Sequence, residues 1–430
     1  MLAFIHLSDI HFNKYSGDPY DVDKDLRNEV LQDLINHCKK AIPEMNGILI
    51  CGDIAFSGQE AEYRAASEFL DQICVELSID RTQIFCVPGN HDVDQNITKS
   101  ASSVKFLQHQ LENTLSQAEY DSRLAEFLRS PQDAQALGSP IQYYNETFAA
   151  QYRCDYTQDK LLWQQSIPID AEYSLCLAGI NSTMISSEED HIDKTRERPM
   201  RIGNCQIPER CPRTIYLSLC HHPPECWNDP DNVLGEKMNN RVAVQLYGHK
   251  HVQTIKFNGK SLIVGSGATH PCRTYDEWMP RYNWLTLSIS NRNNTPYLVV
   301  RIYPRVLNDT QTAFEPEKGL PGDVEYKEFQ INLEETANEK APREDAKSKQ
   351  ERELGTPRIS VSSWERQFIC DFMNLPFFRR RNILLKLNLD RPEDGEARHI
   401  CLLDCYIKRA KEQDCVKQLL EEVRGGRLHE

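Results

Sequence analysis

A layered α/β fold with a separate all-helical tail is predicted by three observations. Short apolar runs alternate with amphipathic stretches, polar clusters close those runs, and composition changes sharply after residue 332. The runs are Leu2–Leu7, Gly47–Cys51, Gln83–Val87, Tyr173–Ile180, Thr214–Leu219, Val242–Tyr247 and Ser261–Val264. Each is nearly continuous in apolar character and bounded by Gly, Pro, Asn or Asp, as buried sheet strands are. Between the first two lies Asp23–Ala41, with Leu26, Val30, Leu34 and Ile35 at helical spacing, and a second such stretch covers Gln59–Leu77. Alternation of this kind argues for sheets layered against helices.

From about Gln95 to Tyr156 the pattern becomes polar, Gln-rich and helical, with no strand evident. It reads as a helical insertion: a cap beside the site or a surface decoration. The charged stretch Ser186–Arg201 reads as a loop, and WLTLSIS and PYLVVRIY, split by the turn signal NRNNTP, read as closing strands. The first domain therefore spans 1–332. A charged linker occupies 333–358, and 359–430 regains apolar residues at helical spacing as a small all-helical domain.

A hydrophobic content of 40% with 27% charged residues fits a well-cored globular protein. The net charge of -14 disfavours bulk non-specific duplex binding and anionic membranes, while leaving room for a local basic groove. No stretch has the apolar length that spans a bilayer, and the start lacks a secretory pattern. The 15 cysteines are odd in number and lack C-x-x-C spacing; several, such as Cys51, Cys86, Cys176 and Cys220, sit inside apolar runs. Thiols placed like small hydrophobes fit a reducing cytoplasm.

Five polar clusters follow predicted strands: Asp9-Ile10-His11, Gly52-Asp53, Gly89-Asn90-His91-Asp92, His221-His222-Pro223-Pro224 and Gly248-His249-Lys250-His251. Each alone is a plausible turn or a pair of surface histidines. Together and in order, at strand carboxyl ends that converge on one crevice, they point to a site. The residue types suit hydrolysis of a phosphate ester, which needs a strong nucleophile at neutral pH and neutralised phosphoryl oxygens. Two divalent ions about 3.5–4 Å apart supply both. Gly52 lets the backbone before Asp53 approach closely, and a His/Asp/Asn set without thiolate favours Mn²⁺, with Fe or Zn²⁺ as alternatives.

The series DIH, GDI, GNHD, HHPP and GHKH resembles the calcineurin-like metallophosphoesterase superfamily over about residues 1–305. Its local form most resembles the bacterial cyclic-nucleotide-phosphodiesterase-like branch. The resemblance implies a layered β-sandwich flanked by helices and two divalent metal ions. Asp9, His11 and His251 would hold one ion, Asn90, His221 and His249 the other, and Asp53 would bridge them. His91 would be the general acid, oriented by Asp92, for which a turn or cap role is an equal alternative.

Outside that set, His222 is a substrate-binding candidate, although a neighbouring residue on an extended segment points the opposite way. Asn181, at the end of another run, is a candidate for contacting substrate. His6, inside the first run, reads as a core histidine. The Gly265-Ser266-Gly267 turn reads as packing under the site, with a phosphate cradle as the weaker alternative.

The implied function is a phosphodiesterase acting on a nucleotide-type phosphodiester, with a nucleotide preferred over nucleic acid on electrostatic grounds. A DNA or RNA nuclease and a phosphomonoesterase fit the same centre. A metal-binding scaffold without activity is the reading from a different class, against which all seven ligand positions and His91 are filled. The tail, with WERQFICDFMNL, FFRRRN and a last Leu-rich helix, resembles small death-like, effector-associated adaptor domains. That implies a protein partner and an effector role in bacterial defence. The plain alternative is a module that packs on the catalytic domain or forms a dimer. Arg379, Arg380 and Arg381 read as a solvated basic face.

Overall fold

The computed structural model describes residues 1–334 other than 17, 19–20, 192–197, 272–278 and 321–323, together with 383–384, 386–387, 389, 406, 408–411, 413 and 415–425. The chain divides into two compact units, Met1–Pro342 and Arg343–Glu430. In the first unit the strands are β1 Leu2–Leu7, β2 Gly47–Cys51, β3 Ile84–Val87, β4 Leu162–Pro168, β5 Ser174–Ile180, β6 Thr214–Cys220 and β7 Val244–Tyr247. They continue as β8 Gln253–Phe257, β9 Leu262–Ser266, β10 Arg281–Arg292, β11 Thr295–Leu307, β12 Phe314–Pro316 and β13 Lys327–Asn332.

One sheet runs β12-β11-β10-β1-β2-β3 with β13 also on β11; the other runs β4-β5-β6-β7-β9-β8. Their inner faces share one core, with Phe4, Leu49 and Phe85 from the first and Leu175, Leu217 and Leu246 from the second. This is the layered β-sandwich flanked by helices that the sequence predicts. β1, β2 and β3 are parallel, as are β5, β6, β7 and β9. Both parallel blocks end in loops that meet at one edge of the sandwich. Trp163 on β4 ties the sheets together, its indole N–H donating to the Cys86 carbonyl at 3.0 Å.

All seven predicted runs are strands, with ends shifted by a few residues. β4 and β8 were missed for a physical reason: both are edge strands. LWQQSIP alternates buried and exposed positions, and QTIKF has no fully buried residue, so neither carries the continuous apolar signal of a central strand.

Lys24–Asp33 is an α-helix that passes through a π-turn at Leu34–Cys38 into Lys39–Ala41. Glu60–Leu77 is continuous; the Glu62 carboxylate accepts the Ser57 and Gln59 backbone N–H groups and Ala66, Phe69, Leu70 and Ile73 line its buried face. The insertion is helical as expected, with Gln95–Ser100, Ser102–Glu112, Gln117–Arg129 and Pro131–Gly138. It is no surface decoration. Leu107, Leu111, Tyr120 and Leu124 share a core with Ile180, Met200 and Tyr216, while Tyr144, Phe148 and Tyr152 join the main core.

Away from the loops, Arg305 on β11 and Asp33 form a buried pair with Nε to Oδ2 at 2.9 Å, and the Tyr282 hydroxyl donates to the same carboxylate. The Arg305 guanidinium lies 4.6 Å from the centre of the Trp284 ring.

In the second unit, Ile383, Leu384, Leu389, Tyr406, Ala410, Cys415 and Leu419 form a small core, and Val416–Gly425 is a helix. The charged linker beyond residue 334, the WERQFICDFMNL segment and Arg379–Arg381 lie outside the described residues. Among the described residues, 11 cysteines are free, nine of them buried. No described helix is long and apolar enough to cross a membrane.

Candidate metal centre

The five predicted clusters leave β1, β2, β3, β6 and β7, and the fold brings them together. Backbone hydrogen bonds lace the loops: Asp9 N to Gly52 O at 3.0 Å, His11 N to Asp53 O at 2.9 Å and Gly248 N to His221 O at 3.1 Å. The His249 N–H crosses between the sheets to the Asp9 carboxylate at 3.2 Å.

Four overlapping sets offer ligand atoms within 4.8 Å of one another: Asp9, His11 and His251; Asp9, Asp53 and His221; His11, Asp53 and His91; and His221, His222 and His249. Asp53 belongs to two of these sets, as do Asp9, His11 and His221; it stands with Asp9 and His221 in one and with His11 and His91 in the other.

The backbone at these positions is unusual. Asp9, His11, Asp53, His249 and His251 have φ of 52°, 52°, 51°, 69° and 55°. Left-handed conformations of non-glycine residues cost on the order of 1 kcal/mol or more each and gather where function over-determines them. The five residues lie on three loops, those after β1, β2 and β7, which open on one point. Gly52, with φ +86°, and Gly89 complete the approach. A Cβ on Gly52 would stand 2.5 Å from His221 Nδ1, and one on Gly89 would stand 2.1 Å from Asp53 Oδ1.

Hydrogen bonds at the rear of the rings fix which nitrogen faces inward. His221 Nδ1 lies 2.7 Å from the Cys51 carbonyl oxygen, an acceptor, so Nδ1 carries the hydrogen. Its Nε2 lies 3.0 Å from Asn90 Oδ1, and His249 Nδ1 is 3.1 Å from the same oxygen. In the neutral ring Nε2 aims a lone pair at that amide oxygen, an arrangement that a proton or a metal cation between the two atoms satisfies. His251 Nε2 is 3.1 Å from Asp9 Oδ1, and Ser8 Oγ donates to the other oxygen of Asp9. The buried Nδ1 of His11 has no hydrogen-bond partner among the described residues. Imidazoles, carboxylates and one amide, with inward lone pairs, are the donor set of a divalent transition-metal site. The neighbouring thiols are unsuited: burial drives Cys51 well above its ordinary range and Cys220 up to about 12.

Charge inside the cluster follows the same layout. Burial alone would raise Asp53 and Asp9, but the histidines hold both below the usual carboxylate range, His221 acting most on Asp53 and His251 on Asp9. Burial, then the His91 charge, lowers His11 to about 3. Burial opposes His221, yet Asp53 lifts it to about 9.

His91 Nδ1 lies 2.8 Å from the Phe56 carbonyl oxygen, and its backbone N–H donates to Asp53 Oδ1 at 2.8 Å. Asp92, expected to orient His91, instead accepts the N–H groups of Ile54, Ala55 and Gly89 and the Tyr63 hydroxyl. It clamps the β2 and β3 loops together, and the carbonyl of Phe56 does the orienting.

His222 lies with His221 and His249, which the alternation argument did not foresee. β6 ends at Cys220, so His222 is already outside the extended strand to which alternation applies. Asn181 bonds its own turn, Oδ1 accepting from Thr183 N and Oγ1 at 2.8 Å. It lines a cavity of about 480 Å³ under the insertion, beside Pro140, Tyr156, Leu161 and Met184. His6 is buried, held down to about 3 by burial, and 3.4 Å from Asn283 Nδ2.

Sequence reasoning missed Phe56, Ser182 and His270. After the Gly265-Ser266-Gly267 turn, Thr269 N and His270 N donate to the carbonyls of Ser8 and Asp9. His270 Nδ1 sits 2.7 Å from the Ile10 carbonyl oxygen, bracing the Asp9 loop from outside. Both Ser182 and His270 follow strand ends, the signal that located the other clusters.

The model of the calcineurin-like phosphoesterase family matches residues 2–253. This chain belongs to that family. Calcineurin-like phosphoesterases are phosphoester hydrolases that bind divalent metal ions, and the His/Asp sets are its candidate ligands here. No curated protein matches the chain.

Among solved structures, the chain is similar to wild-type Vps29 complexed with zinc from Entamoeba histolytica, at 11% identity over 77% of this chain and 99% of that one, with a TM-score of 0.30. It is also similar to a predicted phosphoesterase of Streptococcus pneumoniae (13%, 76% and 97%, 0.27). A third is the purple acid phosphatase PPD1 of yellow lupin (11%, 78% and 55%, 0.36).

Proposed function

We propose that the protein is a two-metal phosphodiesterase acting on a nucleotide-type phosphodiester. The observation that carries the reading is the position of Asp53, which shares one ligand set with Asp9 and His221 and another with His11 and His91. Asp9, His11 and His251 hold one divalent ion, Asn90, His221 and His249 hold the other, and Asp53 lies between them. When bound, such a pair neutralises phosphoryl oxygens and lowers the pKa of water. Mn²⁺ is the favoured ion, with Fe or Zn²⁺ as alternatives.

His91 protonates the leaving-group oxygen. Its Nδ1 is committed to the Phe56 carbonyl, so Nε2 is the nitrogen that transfers the proton. Asp92 keeps the β3 loop in register through the Ile54, Ala55 and Gly89 N–H groups. The Phe56 ring is 53% exposed with its centre 5.3 Å from that of His91, which supports a substrate carrying a flat aromatic group such as a nucleobase. The net charge of -14 supports a nucleotide over a nucleic acid. Asn181, which lines the cavity under the insertion, contacts substrate or a water beside it.

The buried free thiols support a reducing, cytoplasmic setting. The helical tail is proposed to recruit a protein partner with a matching helical domain, making the enzyme a defence effector. Deleting residues 360–430 tests this: an unchanged oligomeric state and unchanged partner capture would leave the tail without that role. The catalytic reading is tested by Mn²⁺-loaded activity on bis-p-nitrophenyl phosphate, cyclic nucleotides, single- and double-stranded DNA, RNA and a phosphomonoester. The expected order places small nucleotide diesters first; faster cleavage of DNA or RNA would make it a nuclease.

A further inference from the structure

We infer that His222 is a third imidazole ligand, through Nε2, at the cation position formed by Asn90, His221 and His249. The inference rests on the two-metal reading and extends it to a residue outside the seven ligands.

His222 is 1% exposed. Its Nδ1 lies 2.8 Å from Ser182 Oγ, which also accepts the His222 backbone N–H at 3.3 Å, and its carbonyl accepts the Trp227 indole N–H at 2.9 Å. The ring is thus held from behind, as Cys51 holds His221. A rear hydrogen bond on one nitrogen is how ligating histidines are oriented.

The other nitrogen, Nε2, is buried and has no hydrogen-bond partner among the described residues. A buried polar atom left unmatched is costly, so an occupant is called for. The His222 ring centre lies 4.4 Å from that of His249 and 4.8 Å from that of His221, and the three rings offer nitrogens within 4.8 Å of one another. His221, at 0%, and His222 are both closed off from solvent.

The two positions then differ in kind. One has three imidazoles and an amide beside Asp53, and the other has Asp9 with two imidazoles beside Asp53. Nitrogen-rich surroundings favour Zn²⁺ or Fe²⁺ over Mn²⁺, so the Mn²⁺ preference belongs to the Asp9 position.

The test is a Co²⁺ titration of the metal-free full-length chain, read by bound metal and by visible absorption. Wild type is expected to bind two ions. His222→Gln should bind one ion as before and the other at least tenfold more weakly, with altered bands. Unchanged affinities and bands in His222→Gln would overturn the assignment, and a raised KM alongside them would place Nε2 on substrate instead. A wild type that binds no Co²⁺ would defeat the two-metal reading itself.

If His222→Gln does not fold, ¹⁵N-histidine spectra of the Zn²⁺-loaded wild type decide. Five metallated imidazoles (His11, His221, His222, His249 and His251) support the assignment, and four contradict it.

Discussion

Nε2 of His221 lies 3.4 Å from Asp53 Oδ2, so the two sheets meet through one buried ion pair in the middle of the ligand cluster. The pair makes the metal-free protein sensitive to alkali. Burial alone would lower His221, but Asp53 raises it from the ordinary 6.5 to about 9. A raised pKa contributes stability that is complete below 6.5 and is lost as pH rises through about 9. A bound cation replaces the imidazolium, so the loaded protein escapes this loss. The melting temperature of the metal-free protein should fall between pH 7 and 9 while that of the loaded protein holds. Parallel pH profiles for the two forms would show that Asp53 and His221 are not so coupled.

Gly89 should tolerate no side chain. A Cβ there meets Asp53 Oδ1 at 2.1 Å and Asp53 N at 2.5 Å, and neither the carboxylate nor the backbone can withdraw without opening the cluster. Gly89→Ala should lower bound metal and turnover at least tenfold. Gly138→Ala, whose Cβ meets nothing within 4 Å, should change neither. Metal analysis of both variants checks the contrast.

His91→Ala should keep its metals and slow turnover roughly 10²–10⁴-fold, the usual worth of a general acid. The loss should shrink for nitrophenolate esters, whose leaving groups need no proton. Equal slowing with poor and good leaving groups would remove His91 from that role.

Asp33→Ala should destabilise the protein without touching the metals. It strands the Arg305 guanidinium, 2% exposed, inside the first sheet's packing. Breaking such a buried pair costs about 3–5 kcal/mol. Urea unfolding should show that loss with metal content unchanged; a loss under 1 kcal/mol would mean that Arg305 finds another partner.

Central strands, the insertion and the five clusters were legible because burial on both faces leaves continuous apolar runs, and chemistry gathers where those runs stop. β4 and β8 were not, since an edge strand buries one face and its sequence looks like loop. The proposed ligand set came from the resemblance to the family, motif by motif. What escaped was the support behind them: the Phe56 carbonyl on His91, Ser182 behind His222, and His270 against the Asp9 loop. Main-chain acceptors carry no sequence signal, and a single serine or histidine after a strand has many ordinary explanations. Asp92 had two roles open to it, orienting His91 or holding a turn, and its bonds to backbone amides are those of the second.

The most direct measurement of the central claim is metal content with activity, on wild type and Asp53→Asn, before and after chelation. The account predicts about two divalent ions per chain in wild type, activity on bis-p-nitrophenyl phosphate that chelation removes and Mn²⁺ restores, and loss of both ions and activity in Asp53→Asn. Full activity in the chelated protein would contradict it.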